Sequence, residues 1–183
     1  DLEIRGAGNL LGAAQSGHIA AIGFGLYCQL LRRTIARLKG DTPPLLVDVD
    51  LDLDFIELSP GSVDPESAAC LPYAYVEDEA HRMILHRRLA ETIAVKEVNA
   101  LRRELTDRYG RPPAAVLRLL RLTELRVLAA QKSLGRIETR EQKIYFYKLR
   151  ERTPLLVHGR LPVLKGKDAT QRLDALFQAL QAL

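Results

Sequence analysis

The sequence of 183 residues has no tryptophan, one methionine and two cysteines. Cys28 and Cys70 are far apart and no CxxC pair is present, so neither a disulfide framework nor a cysteine-based zinc site is expected. Two lone cysteines favour the reducing cytoplasm as the location. No run of about 18 apolar residues occurs, so we expect neither a membrane-spanning helix nor a membrane partner.

The usual catalytic motifs are also missing. No Gly-Lys-Ser or Gly-Lys-Thr sequence is present, so the chain lacks a P-loop for ATP. Gly6, Gly8 and Gly12 are spaced one residue too widely for a dinucleotide fingerprint. His81 and His86 are five residues apart, and so do not share a helix face as a zincin pair does. We therefore expect no catalytic residue, no bound cofactor and no metal site in this chain.

Charge is unevenly distributed along the chain. Residues 41–79 contain eleven acids and no Lys or Arg, although the whole chain has a net charge of +4. All 27 basic residues therefore lie elsewhere, against the other 12 of the 23 acids. Such segregation favours contact with nucleic acid through one face. Mutual neutralisation of the two parts is an equally open interpretation.

The first part of the chain predicts a helical adaptor over residues 1–44. After a glycine-rich opening, apolar residues recur at helical spacing over residues 23–39. Gly40 is a natural stop for that helix, and Pro43 and Pro44 prevent its continuation.

A strand is predicted next, because residues 47–55 alternate strictly between apolar residues and aspartate. The four aspartates, Asp48, Asp50, Asp52 and Asp54, would lie on one face, where like charges discourage pairing with another edge. A metal site is the weaker alternative, because the segment lacks the glycine turn of a calcium loop.

The rest of the chain predicts several helices and a hairpin. Ser59–Tyr75 has the composition of a loop. Apolar periodicity indicates helices over 78–93, 95–109, 113–134 and 168–183, and the third of these is apolar nearly all round, as a central helix is. Residues 137–139 and 143–149 read as a hairpin turning at 140–142, and residues 155–158 read as a further strand. The sequence therefore predicts an α+β fold: residues 45–183 form a compact domain of several helices with a small, mostly antiparallel sheet.

The opening residues resemble a known motif. The segment runs Asp1-Leu2-Glu3-Ile4-Arg5-Gly6-Ala7-Gly8-Asn9-Leu10-Leu11-Gly12, followed by Gln15-Ser16-Gly17-His18. It resembles the translocation motif that follows the last helicase motif in bacterial transcription-repair coupling factors, a family of superfamily-2 DNA translocases. Downstream, Leu71-Pro72-Tyr73-Ala74-Tyr75-Val76 and Leu101-Arg102-Arg103-Glu104-Leu105-Thr106-Asp107-Arg108-Tyr109-Gly110 are similar to the C-terminal domain of that family.

The resemblance implies a role for the opening residues. Arg5 and Gln15 fall on the two motif positions that the family needs for translocation along double-stranded DNA. Gly6, Gly8 and Gly12 would allow the tight turns between them. ATP and Mg²⁺ would bind in the motor domains of the parent protein, a DNA-dependent ATPase, and not in this fragment, which is itself no enzyme.

The resemblance also implies that residues 45–183 are regulatory. In the family, the C-terminal domain folds back on the protein's own N-terminal, repair-helicase-like module. It thereby masks the surface that recruits the damage-recognition ATPase of nucleotide excision repair, until the motor engages stalled RNA polymerase. We expect the docking face to include Arg102, Arg103 and Arg118, with the aspartate row as the alternative face.

A stand-alone basic DNA-binding module without catalysis is the second hypothesis. Seven arginines could follow phosphates: Arg102, Arg103, Arg108, Arg111, Arg118, Arg121 and Arg126. Against it, aromatic residues make up only 5% of the chain, so surfaces on which bases could stack are scarce.

Overall fold

The structure is a computed structural model that describes residues 49–58 and 64–183. Within these residues the chain forms three strands and four helices, and the predicted α+β class is confirmed. In chain order they are β1 (Asp50–Leu53), α1 (Glu79–Glu91), α2 (Val95–Tyr109), α3 (Ala114–Gln131), β2 (Leu134–Arg140), β3 (Lys143–Lys148) and α4 (Ala169–Gln181). The helix predicted over 23–39 and the translocation motif lie outside the described residues.

The strands form one mixed sheet in the order β1-β2-β3. β1 runs parallel to β2, with Leu51 opposite Ile137, and β3 runs antiparallel to β2. The predicted hairpin is present, but its turn is shorter than predicted. Arg140 still belongs to β2, and Glu141 takes a positive φ of 56° in a two-residue connection. Three helices separate β1 from β2 along the chain, as a parallel crossover requires.

The core lies between one face of the sheet and the helices. Leu51, Ile137 and Phe146 point from successive strands into this core and are at most 1% exposed. Helix α3 is the central element, since it buries side chains on nearly all its faces, as predicted. It packs against the sheet and the other three helices.

Local signals set the helix ends. Asp78 caps α1 by accepting a hydrogen bond from the His81 amide at 2.9 Å. Asp168 caps α4 by accepting one from the Gln171 amide, also at 2.9 Å, and the Gln171 side chain accepts from the Lys167 amide at 3.0 Å. Helix α3 ends at Gln131, three residues earlier than predicted, because β2 already begins at Leu134. In the described ranges, every helix is too short or too polar to cross a bilayer.

Candidate docking surface

Helix α2 carries two of the three predicted docking residues. Its buried side consists of Val98, Leu101 and Leu105. Arg103 is exposed on the helix, whereas Arg102 is half-buried. The Nε of Arg102 is buried and makes no hydrogen bond with any described residue. Arg103 therefore presents its charge to solvent, and Arg102 lies at the border of the same surface.

Arg118, the third predicted docking residue, is buried in α3 and only 6% exposed. Its Nε donates to the carbonyl oxygen of Ala68 at 2.7 Å, and its Nη2 donates to that of Pro65. Burial lowers the pKa of this guanidinium, and nearby charges partly oppose that effect. The structure therefore does not bring Arg118 to the surface that Arg102 and Arg103 share, because its donors hold the main chain of residues 65–68.

Two further arginines bind main-chain carbonyls in the same way. Arg126 donates to the carbonyl oxygens of Leu89 at 3.0 Å and Thr92 at 2.7 Å, where α1 leads into α2. Arg82 donates to the carbonyl oxygens of Val76 at 2.6 Å and Glu77 at 2.8 Å. These buried side chains stabilise loops against helices. Sequence reasoning missed this structural role.

The second hypothesis loses much of its support from these contacts. Of the seven arginines that could follow phosphates, Arg118 and Arg126 are buried. Arg121 donates to Asp174 at 2.6 Å and lies 4.1 Å from the ring centroid of Phe177. At most four of the seven arginines therefore remain available to bind a phosphate backbone.

The edge between α1 and α2 is polar. Arg88 of α1 forms a two-pronged ion pair with Glu104 of α2, both N–O distances being 2.6 Å. The hydrogen bonds from Arg88 hold the pKa of the Glu104 carboxyl below its ordinary value. Arg108 lies 3.2 Å from the imidazole Nε2 of His81. This edge extends the charged surface of α2 onto α1.

Tyr75, in the segment before α1, contacts the C-terminal end of α2. The hydroxyl of Tyr75 lies 3.0 Å from the carbonyl oxygen of Leu105 and 2.9 Å from that of Gly110, so its proton satisfies the helix terminus. The rings of Tyr75 and Tyr109 pack with their centroids 5.8 Å apart. The surface of α2 is therefore held rigidly relative to the segment Leu71–Val76.

The aspartate row is not a free acidic surface. Asp52 accepts from Arg140 at 2.6 Å and from Arg136 at 3.4 Å, both on the neighbouring strand. The hydrogen bond from Arg140 is the main cause of a lowered pKa at Asp52, and burial partly opposes it. Asp54 accepts from the Thr139 hydroxyl at 2.7 Å and the Glu141 amide at 2.6 Å. Asp48, the first of the four, lies outside the described residues.

Groups that could perform chemistry are buried or dispersed. Burial raises the pKa of the Cys70 thiol to about 11, so the thiolate nucleophile is disfavoured. Burial, assisted by the charge of Arg82, lowers the pKa of His86 to about 4. Within residues 49–58 and 64–183, no cluster of His, Cys, Asp and Glu is suited to hold a metal ion.

Five residues of the predicted translocation site cannot be placed. Arg5, Gln15, Gly6, Gly8 and Gly12 all lie outside the described residues. Their roles stay a prediction from the resemblance.

Comparison with known proteins agrees with the fold. Residues 66–155 match the TRCF domain family. A transcription-repair-coupling factor of Myxococcus xanthus is 41% identical over 127 residues, which are 69% of this chain and 10% of the relative. That of Haemophilus influenzae is 39% identical over 142 residues, 78% of this chain and 12% of the relative. The chain thus spans about a tenth of the length of the curated relatives it matches.

A solved structure described as the C-terminal domain of transcription-repair coupling factor has the same fold. Its TM-score is 0.56 at 16% sequence identity, and the match covers 73% of this chain and 90% of the solved one. The likeness in fold agrees with the family match over residues 66–155. The chain belongs to the transcription-repair-coupling factor family.

Proposed function

We propose that the chain is the C-terminal part of an ATP-dependent DNA translocase that removes stalled RNA polymerase and recruits nucleotide excision repair. The family match and the fold support this, together with the resemblance of the opening residues to a translocation motif. ATP and Mg²⁺ bind in other domains of the parent protein. RNA polymerase and double-stranded DNA are likewise partners of the whole protein.

In this proposal the C-terminal domain is an autoinhibitory one. It docks on the protein's own N-terminal, repair-helicase-like module and masks the surface that binds the damage-recognition ATPase. The observation that carries the proposal is the exposed, charged side of α2 on a helix that is otherwise anchored in the core. Interfaces within one chain that open and close are typically polar and of modest size, about 600–1,500 Å².

The docking face in this proposal is narrower than the one predicted from sequence. Arg103 is its centre, with Arg102 at its border. Arg118 is left out because its donors are used by main-chain carbonyls. Charged groups at the rim of an interface set the rate of encounter and its salt dependence, which suits an interface that must be released.

The opening residues complete the proposal. Arg5 and Gln15 would act on the neighbouring motor, and the glycines between them would permit the backbone to turn. These roles rest on the resemblance alone.

Binding in trans tests the masking role. The N-terminal module of the parent is titrated into the 183-residue chain by calorimetry, with the wild type and with Arg102→Glu/Arg103→Glu compared. We expect the double reversal to weaken binding roughly tenfold or more, because it places repulsive charge where attractive charge stood. Lys165→Glu, an exposed change outside α2, is the control and should bind as wild type.

Equal affinity in the double reversal and the control would place the docking surface elsewhere on the domain. A complete lack of binding by the wild-type chain would contradict the masking role itself.

A further inference from the structure

The sheet has a second face, opposite the core, that no described helix covers. On β1 and β2 this face bears the ion pairs of Asp52 with Arg136 and Arg140, and these three side chains remain 38–48% exposed. On β3 the alternation of the strand places Lys143, Tyr145 and Tyr147 outward, while Ile144 and Phe146 are fully buried. The outer face thus changes from an ion-paired half to an aromatic half.

The aromatic half is extended by the segment that follows β3. Leu155 pairs with Phe146, and Val163 pairs with Lys143, both in antiparallel bridges. Because directly paired residues point to the same side of a sheet, Val163 lies beside Lys143 on the outer face. Leu156, one residue after Leu155, points the same way, and both aliphatic side chains are 55% exposed. Apolar and aromatic surface is therefore continuous from Tyr145 across the sheet edge.

The segment that carries this half of the face is also rich in basic residues. Residues 143–165 contain six Lys and Arg against one acid, Glu151. The six are exposed, and none of them forms an ion pair with a residue in the described part of the chain. They are Lys143, Lys148, Arg150, Arg152, Arg160 and Lys165. The arginines of α3 and β2 are engaged in internal bonds, so this segment holds a large share of the domain's uncompensated positive charge.

The two tyrosines are spaced as a stacking platform requires. They are two residues apart on one strand, which places them roughly 6.8 Å apart along it. The guanidinium of Arg136 lies 5.7 Å from the ring centroid of Tyr147 and holds that ring from the β2 side. Aromatic residues are scarce in this chain, yet two of its six tyrosines are neighbours on this single exposed face.

We propose that this surface, formed by Tyr145, Tyr147 and the basic segment 143–165, binds single-stranded DNA. The tyrosine rings would stack against two successive bases, while Lys143 on the same face, together with other exposed cations of the segment, neutralises phosphates. Leu156 and Val163 would pack against the apolar faces of sugars and bases. The site is separate from the docking surface on α2 and does not depend on the masking role.

The observations favour a single strand over the two other polyanionic partners. A duplex hides its bases and would use the charges but not the tyrosines. An acidic protein segment would bind the charges and the aliphatic side chains. It would not need the two neighbouring aromatic rings of Tyr145 and Tyr147. A single strand uses both features.

Fluorescence anisotropy with the 183-residue chain tests the proposal, using a labelled oligothymidylate of about 12 nucleotides at about 50 mM salt. Tyr145→Ala/Tyr147→Ala should weaken binding roughly tenfold or more, because two stacking platforms are removed. Tyr145→Phe/Tyr147→Phe keeps the rings and should bind within about twofold of wild type. Thermal melting of each variant checks that the domain is folded.

Charge is tested separately. Lys143→Gln should reduce the slope of log affinity against log salt by about 0.7, the value for one phosphate of a single strand that is no longer neutralised. Lys96→Gln removes the same charge from an exposed position of α2, outside this surface, and should leave the oligonucleotide affinity unchanged.

Four outcomes would overturn the proposal. They are undiminished binding in a folded Ala/Ala variant, equal or tighter binding of a duplex of the same length, tighter binding of an oligouridylate RNA, and displacement of the strand by a polyglutamate peptide of equal charge. The last of these would assign the surface to an acidic protein partner.

Discussion

Mild acid should destabilise this domain through one buried side chain, His86 of α1. Its imidazole is buried beside Arg82, and its pKa is lowered to about 4 from an ordinary value of 6.5. Burial is the larger cause and the positive charge of Arg82 the smaller one. The native state therefore keeps His86 neutral at a pH where the unfolded chain has already bound a proton.

The direction and size of the effect follow from linkage. Between pH 6.5 and pH 4 the unfolded state binds more protons at this site, so the free energy of unfolding falls as the pH falls. The contribution is complete above pH 6.5 and is lost as the pH approaches 4. The full loss is about 3 kcal/mol for a shift of about 2.5 units, and about 2 kcal/mol of it is lost by pH 5.

Urea unfolding followed by circular dichroism, from pH 7.5 down to pH 4.5, measures this loss. His86→Gln cannot be protonated, so its stability should change with pH in this window by about 2 kcal/mol less than that of wild type. The comparison uses the change in the free energy of unfolding with pH. A variant that is less stable than wild type at every pH therefore remains informative. Lowered pKa values at Asp52, Asp78 and Glu104 act mainly at the acidic end of the window and below it, and they are common to both proteins. If the free energy of unfolding changes equally with pH in both proteins, His86 is not the cause of the loss of stability.

Two further substitutions test the internal bonds. Arg118→Met roughly keeps the volume of the side chain but removes the donors to the carbonyl of buried Ala68 and to that of exposed Pro65. Urea unfolding should therefore show a loss of about 1–3 kcal/mol, whereas the exposed change Arg103→Met should cost less than about 0.5 kcal/mol. An Arg118→Met variant as stable as Arg103→Met would show that Arg118 is not structural. Tyr75→Phe removes only the hydroxyl at the end of α2 and should cost about 1 kcal/mol, and an unchanged urea midpoint would contradict this.

The helices were predictable because their signals are local. The predicted bounds of α2 agree with the structure, since Gly110 and Pro112 lie next to its end in the sequence. The caps at Asp78 and Asp168 involve residues three positions apart, which a sequence displays directly.

The sheet was harder to predict because its pairings join residues that are distant in sequence. The alternation of residues 47–55 indicates a strand, but nothing in that segment identifies β2 as its parallel partner. The aspartates looked like an unpaired acidic row because Arg136 and Arg140 lie more than 80 residues away.

Arg118 was predicted to lie on the docking face, but the structure buries it. The physical reason is partly visible in the sequence. A helix that is apolar nearly all round has little solvent-facing surface, so an arginine in its second turn finds internal acceptors. Helix α1 gave no comparable signal, because it buries Arg82 and His86 while Ile84 is 51% exposed. Tertiary packing decides which side of such a helix is buried.

The central claim is that this domain masks a recruiting surface in its parent protein. The most direct measurement is the affinity of the full-length parent for the damage-recognition ATPase, with and without Arg102→Glu/Arg103→Glu. A masking interface couples the two binding events, so we expect the reversal to raise that affinity by about 5- to 150-fold, the usual range of such coupling. The variant must first be shown to have lost binding to the N-terminal module. If its affinity for the damage-recognition ATPase then equals that of the wild type, the masking role is contradicted.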